Sequence, residues 1–121
     1  MTLTVLAVDD SRTMRDMIRL ALVPNGFSVH VAEDGLDGLD VLSGLAPDVI
    51  ITDINMPRMD GFGFIDAVRA QEDHRATPIL VLTTESAADL KMRARNAGAT
   101  GWIVKPFDPG KLVKALHMVT G

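Results

Sequence analysis

Two adjacent aspartates, Asp9 and Asp10, follow the apolar run "LTVLAV" (3 to 8), and a third, Asp53, follows "DVIIT" (48 to 52). Thr83 closes "PILVLT" (78 to 83), with Thr84 next to it, and Lys105 follows "GWIV" (101 to 104). Unit charges 4 Å apart repel by about 4 kcal/mol at an effective dielectric near 20, so carboxylates gathered in one place demand a cation between them. Magnesium fits this donor set. It takes oxygen ligands in an octahedron, keeps several waters and is held by one or two carboxylates plus a phosphoryl group. Asp9, Asp10 and Asp53 could supply those oxygens. A carboxylate is also a nucleophile toward an activated phosphoryl group, and the transferring oxygens need a metal and a lysine to balance their charge. Asp53 is then the acceptor and Lys105 the clamp. Thr83 can donate to a phosphoryl oxygen that exists only after transfer, so its rotamer depends on the modification.

Those residues meet only if the chain between them folds appropriately. The runs at 3 to 8, 27 to 31, 48 to 52, 78 to 83 and 101 to 104 are short, apolar and rich in β-branched residues, which predicts strands. Met14, Met17, Ile18, Ala21 and Leu22 recur at the spacing of one helix face. Further helices are predicted over 35 to 44, 62 to 71, 87 to 97 ended by Gly98, and 109 to 120, where Asp108 and Pro109 form an N-cap and first-turn pair. Five nearly continuous apolar strands, each followed by a helix, imply one doubly wound α/β domain with a parallel sheet covered on both faces. In such sheets ligands bind beyond the carboxyl ends of the strands, where Asp9, Asp10, Asp53, Thr83 and Lys105 all fall. Taken singly, each has a plainer role: Asp10 and Ser11 as helix caps, Asp53 as the start of a turn, Lys105 as a solvated charge. Their joint placement on one edge argues for chemistry.

Composition narrows the partners. A chain of 121 residues fits a single domain that buries roughly two thirds of its unfolded surface. A formal net charge of -4 gives no field attractive to nucleic acid, and none is expected as a partner. There is no cysteine, which excludes disulfides, thiolate metal sites and a cysteine nucleophile. No basic segment precedes the first apolar run and no run reaches the length of a membrane span, so a soluble cytoplasmic protein without membrane contact is expected. His30, His74 and His117 show no zinc-ligand spacing, and the methionines fit packing better than a cofactor site. There is no dinucleotide-type GxGxxG, and the carboxylate-rich first loop disfavours a flavin phosphate.

The motifs "VDDS", "DINMPRMDG", "LTTES" and "GATGWIVKPF" together resemble response-regulator receiver domains, over essentially the whole chain, and most nearly the chemotaxis regulators among them. The resemblance implies a flavodoxin-like sheet of order 2-1-3-4-5 with five helices. It implies that a histidine kinase, here a chemotaxis kinase, phosphorylates Asp53, and that Asp10, Asp53 and the backbone carbonyl of Asn55 bind Mg2+ with Asp9 assisting. It further implies a cis peptide between Lys105 and Pro106 and a switch at Thr83 and Trp102. Asn55 and Glu85 occupy the positions that border the attacking water and tune phosphate lifetime, so a short-lived phosphoryl group is expected. With no predicted element beyond 109 to 120, a monomeric receiver over 1 to 121 without an output domain is expected. It would act by binding a target such as a flagellar motor switch and be reset by its own hydrolysis or by a phosphatase.

Other readings stay open at this point. The chain could be a phosphorelay intermediate or phosphate sink, which reverse transfer to the kinase would reveal. A phosphohydrolase with an aspartate nucleophile would place a second aspartate two residues after it as general acid, and Asn55 there has no titrating proton to give. The chemotaxis regulators usually carry tyrosine where this chain has Trp102, and indole cannot reproduce a hydroxyl acceptor. Trp102 could therefore switch only partly, anchor a partner, or be structural. Lys91, Arg93 and Arg95 with Lys111 and Lys114 are expected to make the output face basic and suited to an acidic peptide.

Overall fold

In a computed structural model describing residues 2–121, five parallel strands form one sheet in the order β2-β1-β3-β4-β5. They are β1 Leu3–Val8, β2 Phe27–Ala32, β3 Val49–Thr52, β4 Ile79–Thr83 and β5 Gly101–Val104. The helices are α1 Arg12–Leu22, α2 Gly35–Leu42, α3 Gly61–Arg69, α4 Ala88–Ala97 and α5 Pro109–Thr120. Each predicted element is present, with its predicted ends unmoved or shifted by no more than two residues, where fraying and capping decide the boundary.

The alternation of side chains along the strands splits the core in two. Leu6, Val8, Ile50, Ile79 and Val81 point to one face and meet Leu42 of α2, Phe64, Ile65 and Val68 of α3, and Ala94 of α4. Val5, Ala7, Val49, Ile51, Leu80 and Leu82 point to the other and meet Ile18, Ala21 and Leu22 of α1 with Leu112 and Leu116 of α5. Central strands buried on both faces need apolar residues at every position, which is why these segments read as unbroken apolar runs. The stripe predicted on α1 is narrower than its sequence suggests. Ile18, Ala21 and Leu22 are buried, but Met17, predicted on the same face, is 41% exposed. Two short 3-10 segments, Val23–Asn25 and Glu72–His74, were not anticipated.

Caps fix where the helices begin and hence where the loops end. The Ser11 hydroxyl accepts from the Met14 amide, and Asp34, Asp60 and Asp108 accept from the amides of Asp37, Gly63 and Lys111. The strand order reverses at β1, which lies between β2 and β3. The carboxyl ends of β1 and β3 therefore open onto the crevice where such sheets bind ligands. No helix among the described residues is long and apolar enough to cross a membrane.

Candidate functional site

Asp9 leaves β1 and Asp53 leaves β3, and the register of the two strands pairs Val8 with Thr52, so the two aspartates emerge side by side. Both are nearly inaccessible, at 1% and 8% exposure. Lys105 reaches across from the end of β5, and its Nζ donates to Asp9 Oδ2 and Asp53 Oδ2, each at 2.7 Å. The lysine is aimed by its backbone: the Lys105 amide donates to the Thr83 carbonyl at 2.8 Å, and the Lys105–Pro106 peptide is cis. One ammonium shared between two carboxylates explains the electrostatics. Burial acts to lower the Lys105 pKa, but the hydrogen bonds its ammonium donates to two carboxylates, and their charges, outweigh it and hold the pKa above 10.5. Burial raises the Asp9 carboxyl above 3.8, because half a cation and the Ser11 amide offset only part of the desolvation.

The remaining oxygens are also accounted for. Asp9 Oδ1 accepts from the Ser11 amide at 2.9 Å, and Asp53 Oδ1 accepts from the Ile54 amide at 2.6 Å. The Asp9 carbonyl accepts from Arg15 Nη1 at 2.7 Å, which pins the loop between β1 and α1. Asp10 is exposed, yet it offers one carboxylate oxygen within 4.8 Å of those from Asp9 and Asp53. Three hard oxygens so close together, two of them on buried residues, suit a small divalent cation such as Mg2+ with waters completing its shell.

Thr83 is fully buried, and its Oγ1 accepts from the Glu85 amide at a long 3.4 Å. Asn55 Nδ2 donates to Glu85 Oε1 at 3.0 Å, and Trp102 Nε1 donates to the Glu85 carbonyl at 2.9 Å. Glu85 thus joins the rim of the acidic cleft to the half-buried Trp102. Around Trp102 runs a groove of about 360 Å³ that includes Lys91 and Arg95. Arg93, expected beside them, instead stacks over the Phe62 ring at 4.0 Å. His74 is buried and shares a contact with the Thr77 hydroxyl, consistent with a satisfied structural histidine, while His30 and His117 are exposed.

One ion pair near the cleft escapes sequence reasoning. Arg58, at a φ of 64° in the loop after Asp53, donates from Nε to Asp34 Oδ2 at 2.7 Å and from Nη2 to Oδ1 at 3.0 Å. The guanidinium, with the Asp37 amide, holds the Asp34 carboxyl below 3.8. A depressed carboxylate pKa contributes stability that is full above 3.8 and is lost as pH falls through the folded value. Asp34→Asn should therefore flatten the stability profile below about pH 4, a change that acid denaturation followed by circular dichroism would register. Neither Asp34 nor Arg58 was singled out from the sequence.

Comparison with known proteins agrees with this geometry. The family profile of the response regulator receiver domain matches residues 5–117. The chain is 37% identical over 107 residues to the response regulator MprA of Mycobacterium sp. (strain KMS) and of Mycobacterium tuberculosis (strain ATCC 25618 / H37Rv). That match covers 88% of this chain but 46% of each relative, so the chain spans about half the length of the curated relatives it matches. Among solved structures it is similar to the chemotaxis protein CheY4 of Vibrio cholerae, with a TM-score of 0.94 and 46% identity over 98% of this chain and 99% of that one. It is also similar to a putative response regulator from Chloroflexus aurantiacus, with a TM-score of 0.94 and 32% identity over 99% and 98% of the two chains. Fold, acidic cleft and family profile agree: the chain belongs to the response regulator receiver domain family of two-component systems, whose members generally bind Mg2+ at an acidic pocket of this kind.

Proposed function

We propose that Asp53 accepts a phosphoryl group from a histidine kinase and that the altered surface then binds a target in chemotaxis, such as a flagellar motor switch. The single observation that carries the transfer step is Lys105 Nζ at 2.7 Å from both Asp53 and Asp9. An oxygen of Asp53 attacks phosphorus of the donor phosphohistidine. The new O–P bond forms as the N–P bond breaks, and the electron pair leaves with the imidazole nitrogen. Lys105 follows the charge from carboxylate to phosphoryl oxygen without leaving the cleft. Asp9, Asp10, Asp53 and the Asn55 backbone carbonyl would hold Mg2+, which supplies the positive charge that the phosphoryl oxygens need. Thr83 gives up its long bond from the Glu85 amide and turns its hydroxyl to a phosphoryl oxygen. Because Trp102 is bonded to the Glu85 carbonyl, that movement reaches the surface groove. Water later attacks phosphorus, releasing inorganic phosphate and restoring the Asp53 carboxylate, and the Asn55–Glu85 pair at the rim controls its approach. The likeness to CheY4 supports the chemotaxis reading.

Incubation with Mg2+ and acetyl phosphate, followed by intact mass measurement, tests the transfer. The chain should gain one phosphoryl group, and the gain should be absent without metal and in Asp53→Asn. No gain in the unsubstituted chain would remove the roles given to Asp53, Lys105 and Thr83. Rapid loss of the group after donor removal supports hydrolysis as the reset. Asp10→Asn supplies a separate check on the metal. Relief of repulsion, about 1 kcal/mol for unit charges 4 Å apart in bulk water, should raise the melting temperature in EDTA. The same variant should lose the stabilisation that Mg2+ gives the unsubstituted chain, about 2.7 kcal/mol at 100 times the dissociation constant. Destabilisation by Asp10→Asn in EDTA would mean that the Asp10 carboxylate supports the start of α1 on its own, against the metal reading.

A further inference from the structure

We infer that the Asp34–Arg58 ion pair positions the Asn55 backbone carbonyl for the divalent cation, so that two residues that do not touch the metal set its affinity. The inference rests on the metal reading given above. Besides the Asn55–Glu85 bond and short-range bonds of its own backbone, the loop 54–60 between Asp53 and α3 is held by three further ties. The Gly61 amide donates to the Ile54 carbonyl at 2.8 Å and closes the loop on itself. The other two ties run sideways to the start of α2: the Gly35 amide donates to the Met59 carbonyl at 3.1 Å, and Arg58 grips Asp34 with two hydrogen bonds. Asp34 is a firm anchor because it is 3% exposed and its Oδ1 also caps α2 through the Asp37 amide.

The loop is tight enough for a shift at Arg58 to be felt at Asn55. Pro57 locks its own φ and restricts Met56 before it, so the two residues between Asn55 and Arg58 have little freedom to absorb a displacement. A methyl group placed on Gly35 would lie 2.6 Å from the Met59 side chain and 2.8 Å from its carbonyl oxygen, which shows how closely the helix and the loop are pressed together. Arg58 sits at a φ of 64°, where L-residues carry a steric cost, and is the one non-glycine residue at positive φ among the described residues. A residue there without a partner would be free to relax. The bidentate carboxylate contact is what keeps this conformation selected.

Isothermal titration calorimetry with MgCl2 on the whole chain tests the inference. Arg58→Gly removes the ion pair while leaving a residue that adopts positive φ without strain, and Asp34→Asn removes the charge while keeping a helix cap. Each should weaken Mg2+ binding about fivefold, less than the roughly tenfold or greater loss on removing a direct outer partner of a ligand, because the pair acts on Asn55 only through the loop. The double variant should be no weaker than either single one, as two halves of one contact require. Affinity within twofold of the unsubstituted chain in either single variant would overturn the inference and leave the pair a purely structural tie. Failure of the metal reading looks different, because the unsubstituted chain would then give no binding heat beyond that of Asp10→Asn, and the inference would fall with it.

Discussion

Replacing Lys105 by alanine should destabilise the metal-free protein at pH 7 by about 3–5 kcal/mol, the range for removing one partner of a buried ion pair. The side chains of Lys105, Asp9 and Asp53 are 9%, 2% and 10% exposed, so little water is available to replace the ammonium. Two carboxylates then face each other in a poorly solvated cleft, with Asp10 adding a third nearby. For a domain of this size the loss corresponds to a fall in melting temperature of about 10–20 °C. Two additions should reverse part of it. Mg2+ supplies the missing charge, and acid neutralises it: the Asp9 carboxyl already lies above 3.8, its charged form is the penalised one, and the penalty shrinks as pH falls through its folded value. Thermal melts in EDTA, in Mg2+ and at lowered pH read all three effects. A drop under about 3 °C in EDTA, less than 1 kcal/mol here, would mean that the two aspartates are solvated well enough without the lysine.

Gly61→Ala should cost about 3 kcal/mol and slow acetyl phosphate labelling of Asp53 at least tenfold, because overpacking here falls on backbone rather than on a yielding side chain. The new methyl group would clash with the Asp53 carbonyl oxygen and lie 2.8 Å from the Ile54 Cα. Neither atom can move without moving the acceptor residue or the loop after it. Gly44→Ala is the control, since nothing lies within 4 Å of a methyl group there. Urea unfolding and labelling rate measured together separate the effects, and a Gly61→Ala variant with unchanged labelling would show that the acceptor tolerates the shift.

The sheet was legible in the sequence because β1, β3 and β4 are buried on both faces, and that environment writes unbroken apolar runs such as "VIIT" and "ILVLT". The acidic cleft was legible for a related reason. A polar residue directly after such a run must sit at the sheet edge, so Asp9, Asp53 and Lys105 announced their meeting before any coordinates. The exposure of Met17 was not legible, since the residues that limit the buried stripe on α1 come from β1 and from α5, the latter distant in sequence. Nor was the Asp34–Arg58 pair, which spans 24 residues and depends on a backbone angle that an arginine does not advertise. Arg93 shows the same limit. Its charge suggested a place on the surface groove, but a facing aromatic ring in α3 claimed it.

The bond from Trp102 Nε1 to the Glu85 carbonyl gives the molecule a readout of its own. The chain has one tryptophan and no tyrosine, so nearly all its ultraviolet emission comes from a single indole. That indole is fastened to the segment directly after Thr83. Any event that frees the Glu85 carbonyl exposes the indole N–H to water and shifts its emission to longer wavelength, while an event that leaves the segment in place leaves the spectrum unchanged. Stopped-flow fluorescence on the unlabelled protein can therefore time the movement of this one segment against the covalent event at Asp53, with no dye attached and no residue replaced.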